Sequence, residues 1–430
     1  MSMSSIRALA ACCVALLLAA CGPSGEPPAT TAPPRPTTVI AAPAPAGTKT
    51  TSTIGLAEGV YIWQRLWLPA NIAALADSRG LFSELRVLAA QDQPGEGWME
   101  ARPHLPSLRS DGRAVRPVIR LDGRLPTLDG NAIAGKAADL IGKWRVAGVN
   151  VDGVEIDFDC ASARLGDYAK LLATIKAKLP QGVVLSITAL PAWLESPALA
   201  EVLAQADEAV LQVHAVTDPR HGLFDPAQAQ AWIERFAKVD PKPFRVALPA
   251  YGSALVIDAR GRRVGVESES GLPVAGERLE LFADPQAVAK LVRAIRDKPP
   301  ENLHGFIWFR MPLPGDRRAW PLATIAAVIA GKELHADFVA QLGESGNGAS
   351  DLSVRNSGNL EAPLPVSVDV EGQGCSDADA LPGYRVDRAG GKLRFVRDPQ
   401  SHATLPATQT RPLGWVRCAS LKTADLHVHP

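Results

Sequence analysis

The chain lacks an excess of charge of either sign, because 45 Lys and Arg residues are balanced by 45 Asp and Glu residues. Proteins that bind nucleic acid usually carry a basic patch or a strongly basic domain. This composition gives no such electrostatic footprint, and it contains no polybasic membrane patch. Nucleic acid is therefore not an expected partner.

The N-terminal apolar run, Ala8 to Ala20, has about a dozen residues, whereas a membrane-spanning helix needs about 20. The run follows Arg7 and ends in small residues before Cys21, which predicts an export signal over residues 1–20. These small residues resemble the lipobox of bacterial lipoproteins, in which the cysteine is acylated and becomes the first mature residue. The alternative is a plain signal peptide that is cleaved elsewhere.

Gly22, directly after Cys21, resembles lipoproteins that are sent to the outer membrane of Gram-negative bacteria. Residues 21–53 are dense in Pro, Thr and Ala and have no hydrophobic period, which predicts a semi-extended tether. At ~3 Å per residue, the tether would let the folded part stand up to about 90 Å from the membrane. We expect a lipid-anchored protein of the cell envelope, facing the periplasm or the cell surface.

Cysteine is scarce, and three of the six cysteines belong to the leader or carry the expected lipid. In an oxidising compartment, Cys375 and Cys418 are the expected disulfide pair, because both lie in the C-terminal portion. Cys160 is then a free, buried thiol. A catalytic cysteine needs a base partner, and the sequence identifies none.

Glycine-rich phosphate loops do not follow the strand candidates, which argues against a doubly wound nucleotide-binding sheet, the main structural alternative. Residues 54–333 instead alternate strands with amphipathic helices, the pattern of a (β/α)8 TIM barrel within the α/β class. Eight strands are predicted at residues 59–67, 85–90, 115–121, 151–159, 183–190, 209–216, 244–251 and 304–310, and the clearest helices at 132–147, 164–179, 226–238, 285–296 and 320–330. Residues 91–110 and 253–276 are expected to be irregular.

The fourth predicted strand contains the sequence DGVEIDFD at residues 152–159. With a side-chain period of 2, Glu155, Asp157 and Asp159 share one face, roughly 7 Å from one to the next, opposite an apolar face. Placing three carboxylates on one face costs desolvation and like-charge repulsion, which folding alone would not favour. The pattern therefore predicts a functional site. The alternatives are carboxylates that are solvated or paired with arginines, and a Ca²⁺ or Mg²⁺ site, although no Gly-containing calcium loop is present. We expect no metal and no cofactor.

Residues 152–159 resemble the DGxDxDxE signature on the fourth strand of the chitinase-like barrels, the glycoside hydrolases of family eighteen. Residues 246–252, VALPAYG, are similar to the seventh-strand pattern of that group, and Trp308 matches its sugar-stacking tryptophan. The leader, together with YIWQRLW at 61–67 and SITALPAW at 186–193, resembles an uncharacterised bacterial lipoprotein family with no assigned reaction.

The resemblance implies a retaining, substrate-assisted reaction in which Asp159 is the general acid and Asp157 orients the N-acetyl group of the substrate. Glu155 is implied as a supporting catalytic partner deeper in the strand. Two departures stand out: Glu155 replaces an Asp, and Asp159 replaces the Glu that protonates the glycosidic oxygen. Asp159 is one methylene shorter, which either shifts the sugar position or disables the chemistry.

Substrate-binding residues are expected at the ends of the other strands. Gln212 and His214 share a face of the sixth strand, where His214 either replaces a missing donor or is a structural histidine. The aromatic residues near the mouth bind sugar or belong to the core; they are Tyr61, Trp63, Trp67, Trp193, Tyr251 and Trp308.

Arg120, Asp122 and Arg310 end the third and eighth strands. They either pair with the acidic row or bind the substrate, and direct binding would suit a charged glycan such as a uronate or a peptidoglycan fragment.

Residues 336–430 alternate apolar and polar side chains around turn signals, which predicts a small β-sandwich-like domain. Two functions remain open. The first is a lipid-anchored glycoside hydrolase that acts on an N-acetylhexosamine-containing envelope or extracellular polysaccharide. The second is a catalytically silent barrel that binds glycans or scaffolds the envelope. In both cases a polysaccharide and the membrane are the expected partners.

Overall fold

The computed structural model describes residues 55–214, 222–267, 275–344, 346–389 and 392–430. The predicted signal peptide, the lipidation site Cys21 and the tether lie outside these ranges. Within them, no helix is long and apolar enough to cross a bilayer.

Eight parallel strands close into a barrel in the described part of the chain, so the predicted (β/α)8 TIM barrel is confirmed. The ring runs in the order β1-β12-β8-β7-β6-β5-β4-β2, and pairing of β1 with β2 closes it. The strands up to this point are β1 Ala57–Ile62, β2 Glu84–Gln93, β3 Gly97–Glu100, β4 Ala114–Leu121, β5 Gly153–Phe158, β6 Val184–Ala189, β7 Glu208–Gln212, β8 Phe244–Pro249, β9 Gly252–Ile257, β10 Arg263–Glu267, β11 Glu277–Phe282 and β12 Leu303–Phe309.

Helices pack around the barrel, and their apolar faces form its main hydrophobic core. Three of them begin at an aspartate, Asp129, Asp225 or Asp284, whose carboxylate accepts hydrogen bonds from backbone N–H groups of the first turn. The helices are α1 Pro69–Asp77, α2 Leu105–Asp111, α3 Gly130–Val146, α4 Leu165–Lys178, α5 Leu199–Gln205, α6 Pro226–Val239, α7 Pro285–Asp297 and α8 Leu322–Ile329.

The two segments that were expected to be irregular contain regular structure. β3 pairs antiparallel with the end of β2, and α2 follows it. After β8, the strands β9, β10 and β11 form a separate three-stranded antiparallel sheet in the order β10-β9-β11. We call it the insertion sheet. Its glycine and charged residues concealed the strands, because they interrupt the apolar alternation on which a strand prediction depends.

The C-terminal region is an all-β unit with its own hydrophobic core, as predicted. Its sheets have the orders β13-β14-β21-β17 and β18-β19-β16-β22, with a short β15-β20 pair. Cys375 and Cys418 form the predicted disulfide. The strands are β13 Phe338–Glu344, β14 Ser350–Asn356, β15 Ala362–Pro363, β16 Ser367–Val370, β17 Asp377–Ala380, β18 Tyr384–Ala389, β19 Lys392–Arg397, β20 Thr404–Leu405, β21 Thr410–Arg417 and β22 Leu426–His429.

Candidate active site at the barrel mouth

Two aspartates and an arginine meet at the C-terminal ends of the barrel strands. Asp157 lies on β5 and Asp159 follows that strand by one residue, while Arg120 lies on β4 opposite Asp157 in the strand register. Active sites of (β/α)8 barrels are built at this end, because the loops that follow the strands surround it. We call Arg120, Asp157 and Asp159 the Arg120 triad.

Arg120 contacts both aspartates of the triad. Its Nη1 donates a hydrogen bond to Asp157 Oδ2 at 2.5 Å, and its Nη2 donates to Asp159 Oδ2 at 3.2 Å. The Thr188 hydroxyl donates to the other oxygen of Asp157 at 2.8 Å. The Arg120 guanidinium also lies 5.7 Å from the centroid of the Trp63 ring, within the cation–π range. Asp157 is therefore held in place from two sides.

Asp159 is the more accessible aspartate, with 32% of its side chain exposed against 2% for Asp157. Burial and the negative charge of Asp157 raise the pKa of Asp159 to about 6, although Arg120 and the Gln212 amide oppose the rise. Despite that nearby amide, Asp159 Oδ1 is buried and has no hydrogen-bond partner among the described residues. A carboxyl group with this pKa retains a useful protonated fraction close to neutral pH, as a general acid requires.

Glu155 lies deeper in the barrel than the Arg120 triad, as expected for a supporting residue, and makes a separate set of contacts. Its carboxylate is fully buried and accepts hydrogen bonds from Tyr61 Oη at 2.7 Å and Ser186 Oγ at 3.1 Å, and it contacts Arg86. Burial raises the pKa of Glu155, an effect that the Arg86 charge opposes. With its oxygens occupied in this way, Glu155 has no direct access to a ligand at the mouth.

Glu155 belongs to a buried network towards the N-terminal ends of the strands. Arg86, which is fully buried, also contacts a Glu208 oxygen at 2.5 Å. Arg116 contacts the same oxygen at 2.6 Å, and these cations hold the pKa of Glu208 well below its usual range. We call the network the ionic layer, and its members are Arg86, Arg116, Arg245, Glu84, Glu155 and Glu208.

A cluster of aromatic rings lies at the mouth, near the C-terminal ends of the barrel strands. Phe309 lies 5.3 Å from Trp63, 5.1 Å from Tyr251 and 5.5 Å from the stacked His214 ring, measured between centroids. Tyr251 Oη and His214 Nδ1 are 3.3 Å apart. Burial lowers the pKa of His214 to about 4 and raises that of Tyr251 to about 12, so both are neutral at physiological pH. The structure thus brings these two residues and Trp63 together as predicted.

Trp308, by contrast, is not at the mouth. It is fully buried in the core between barrel and helices, and its indole N–H donates to Glu58 Oε2 at 2.7 Å. Strand alternation explains the error: Ile307 and Phe309 face the barrel interior, so Trp308 faces the helices. Both faces of this strand are apolar, and the sequence alone did not reveal Phe309 as the inward residue.

Asp122 and Arg310 also have partners of their own. The Asp122 carboxylate binds Arg124, whose hydrogen bonds lower the pKa of Asp122 to about 2. Arg310 is buried and contacts Asp316. Asp122 thus binds a neighbouring arginine and Arg310 contacts a nearby aspartate, whereas Arg120 pairs with the acidic row.

The remaining aromatic candidates and the free thiol belong to the core. Trp67 and Trp193 are buried, and the indole N–H of Trp193 donates to the Cys160 carbonyl at 2.9 Å. Burial raises the pKa of the Cys160 thiol to about 11, which keeps it protonated. In the described ranges no three His, Cys, Asp or Glu side chains are grouped so that they could hold a metal ion.

Fold and site together define a (β/α)8-barrel protein with an arginine-bridged aspartate pair at its mouth. Residues 111–314 match the family model described as a domain of unknown function, DUF3142, and residues 340–419 match a second one, DUF8456. The matching families are thus uncharacterised, as the resemblance predicted. No curated protein matches the chain.

Among solved structures, the chain is similar to a chitinase from Chromobacterium violaceum, with 12% identity, coverage of 64% of this chain and 98% of that chain, and a TM-score of 0.44. The spore cortex-lytic enzyme SleL from Bacillus megaterium is 11% identical, with 64% and 74% covered and a TM-score of 0.48. A Bacillus thuringiensis chitinase is 9% identical, with 87% and 100% covered and a TM-score of 0.43. The assignment of the fold rests on the strand order described above.

Proposed function

We propose that this protein is a glycoside hydrolase that acts on an N-acetylhexosamine-containing polysaccharide of the bacterial envelope or the extracellular matrix. One observation carries the proposal: the Asp159 carboxyl group at the barrel mouth combines a raised pKa with a side chain that is 32% exposed. A carboxyl group in these surroundings suits proton donation to a glycosidic oxygen.

In the proposed reaction, the Asp159 proton passes to the glycosidic oxygen while the bond to the anomeric carbon breaks. The acetamido oxygen of the substrate attacks the anomeric carbon, and Asp157 accepts a hydrogen bond from the acetamido N–H and stabilises its developing positive charge. Asp159, now a carboxylate, then takes a proton from the water that opens the cyclic intermediate, which returns the enzyme and retains the anomeric configuration. The two fixed hydrogen bonds on Asp157 support an orienting role of this kind.

Arg120 has a defined part in this scheme. Its contact with Asp157 is 0.7 Å shorter than its contact with Asp159, since the distances are 2.5 and 3.2 Å. Arg120 therefore binds Asp157 more closely, and its longer contact with Asp159 leaves that carboxyl group able to bind a proton.

A catalytically silent glycan-binding protein is the second candidate. It is favoured by the shorter acid at position 159, by the contact of that acid with Arg120, and by the orientation of Trp308 away from the mouth. Binding to the aromatic residues at the mouth does not require proton transfer.

The test is incubation of the purified protein with N-acetylglucosamine oligomers and with peptidoglycan glycan strands, followed by mass spectrometry of the products and by binding measurements. Hydrolysis that Asp159→Asn abolishes supports the enzyme. Binding without product over long incubation selects the silent protein, and neither binding nor cleavage across a broad glycan panel rejects both.

We further propose that the protein is lipid-anchored through Cys21 at the outer membrane. Radiolabelled palmitate should label the wild-type protein, and Cys21→Ala should release it from the membrane fraction. Wild-type protein that takes up no lipid label would contradict the anchor without bearing on the barrel chemistry.

A further inference from the structure

An open cleft of about 670 Å³ lies beside the barrel mouth, between the insertion sheet and the loop that follows β12. This volume is within the range of about 300–1,000 Å³ that is typical of ligand sites. Gln64 and Arg310 line the cleft, and each directly follows an aromatic residue of the mouth, Trp63 or Phe309. The cleft therefore lies close to the aromatic cluster, next to the ends of the same strands.

Phe282 gives the cleft an exposed aromatic surface. The side chains of β11 alternate, so that Glu280 and Phe282 line the cleft while Leu281 is buried on the opposite face. The Phe282 ring rests against Gly252 of β9, where an added Cβ would come within 2.4 Å of a ring carbon. Glycine at this position lets the ring lie close to the backbone, yet 52% of Phe282 stays exposed. A supported aromatic surface in a polar cleft suits the apolar face of a sugar ring.

The arginines of the cleft differ in whether they have an acidic partner. Arg310 contacts Asp316, and Arg318 pairs with Glu280 at 2.7 Å. Arg317 also lines the cleft and is exposed, but it has no hydrogen-bonding or ionic partner among the described residues. An arginine in this setting is suited to bidentate binding of a carboxylate.

We propose that this cleft binds a carboxylate-bearing sugar unit of the glycan, with Phe282 stacking on the ring and Arg317 binding the carboxylate. The inference deepens the proposed function, on which it rests, by assigning an acidic glycan as the substrate class. A uronate of an extracellular polysaccharide and a muramate of peptidoglycan share this chemistry.

The test is calorimetric titration of the full-length protein carrying Asp159→Asn, which prevents turnover. The probes are a hexasaccharide of alternating glucuronate and N-acetylglucosamine, a tetrasaccharide of alternating N-acetylglucosamine and N-acetylmuramate, and the same two oligosaccharides with the carboxyl groups reduced to alcohols. Tighter binding of one acidic probe identifies the source of the carboxylate. We expect reduction to weaken binding of that probe at least about tenfold, as loss of a charge-assisted hydrogen-bond pair would.

Added to that protein, Arg317→Ala should weaken binding of the acidic probe to the same extent but leave binding of its reduced form unchanged. Phe282→Ala should weaken both forms, and Phe282→Tyr should restore them. The matched controls are Leu279→Ala, which removes an exposed apolar residue from the other face of β11, and Arg260→Ala, which removes an exposed arginine from the β9–β10 turn. Neither control should change the affinity, and thermal midpoints check that each variant folds.

Equal binding of acidic and reduced probes, or no binding of either acidic probe, overturns the inference. Cleavage of neutral N-acetylglucosamine oligomers by the wild-type protein would then still support the proposed hydrolase. Conversely, carboxylate-dependent binding through Arg317 by a wild-type protein that cleaves no glycan upholds the cleft and rejects hydrolysis.

Discussion

The barrel contains two clusters of arginines and carboxylates, and their surroundings differ. In the ionic layer, three arginines face three glutamates, and Arg86 and Glu155 are completely buried. In the Arg120 triad, one arginine serves two aspartates, and about a third of the Asp159 side chain is exposed. The same residue types therefore stabilise the fold in one place and leave a carboxyl group available for chemistry in the other.

The difference lies in charge balance and access to solvent. In the ionic layer, several arginines surround Glu208 and hold its pKa well below its usual range. A site with more carboxylates than cations can hold a proton, and the partly exposed Asp159 carboxyl group can give that proton to a ligand. The contacts of an acidic residue with neighbouring arginines, and not its position on an inward strand face alone, thus indicate whether it can serve as a catalytic acid.

The largest expected effect is the loss of activity when an aspartate of the Arg120 triad is replaced. Asp159→Asn should lower kcat/KM on a cleaved glycan by roughly 10²–10⁴-fold, because general acid catalysis is lost. Asp122→Asn is the matched control, since Asp122 also lies at the end of a barrel strand but binds Arg124. It should leave kcat/KM unchanged, and an equal loss in both variants would contradict the assignment of the acid.

The next effect is on stability, and it compares the ionic layer with the Arg120 triad. Arg86→Gln should lower the free energy of unfolding by about 3–5 kcal/mol, because it leaves buried carboxylates without their cation. Arg120→Gln should cost less, since water reaches the mouth and the aspartate pair can bind a proton. Urea denaturation monitored by circular dichroism measures both, and a greater loss for Arg120→Gln would reverse the proposed division between the clusters.

A smaller effect concerns the pH dependence of activity. Arg120 lowers the pKa of Asp159, so Arg120→Gln should move the alkaline limb of the kcat/KM profile to higher pH, by roughly 1 unit or more. Arg124→Gln, at the same end of β4, should leave the limb in place. A limb that moves to lower pH in Arg120→Gln would contradict the electrostatic role of Arg120.

The smallest effect is on stability as a function of pH. The folded-state pKa of Asp159, about 6, lies above the ordinary value of about 3.9, so the folded protein binds more protons than the unfolded chain between these values. The stabilisation that this group contributes is complete below about pH 4 and is lost as the pH rises through 6. Relative to Asp159→Asn, the wild-type thermal midpoint should therefore fall over this interval, and a relative rise would contradict the raised pKa.

Much of the fold was predictable from the sequence, because apolar strands alternate with amphipathic helices. The acidic strand stands out from the other strands and marked the position of the candidate site. Asp157, Asp159, Tyr251 and Trp63 were also predictable, since each lies near the end of a strand. The (β/α)8 arrangement brings such ends together at one mouth.

The sequence was least informative where a contact depended on distant partners or on strand orientation. Glu155 pairs with Arg86, which is 69 residues away in the sequence, so this contact was not evident from its own strand. Trp308 and Phe309 are neighbours on an apolar strand, and nothing in their local sequence indicated which one faces inward. Phe282 was overlooked because no strand was predicted at Glu277–Phe282, directly after the stretch 253–276 that was expected to be irregular.

The most direct test of the central claim is a ¹³C NMR titration of the Asp159 carboxyl group, assigned by comparison with Asp159→Asn. It measures the protonation state without requiring a known substrate. We expect a midpoint near pH 6 for Asp159 in the wild-type protein. A midpoint at or below about 4, the ordinary range of an aspartate, would show that the site holds no proton to donate and would contradict the role of Asp159 as the acid.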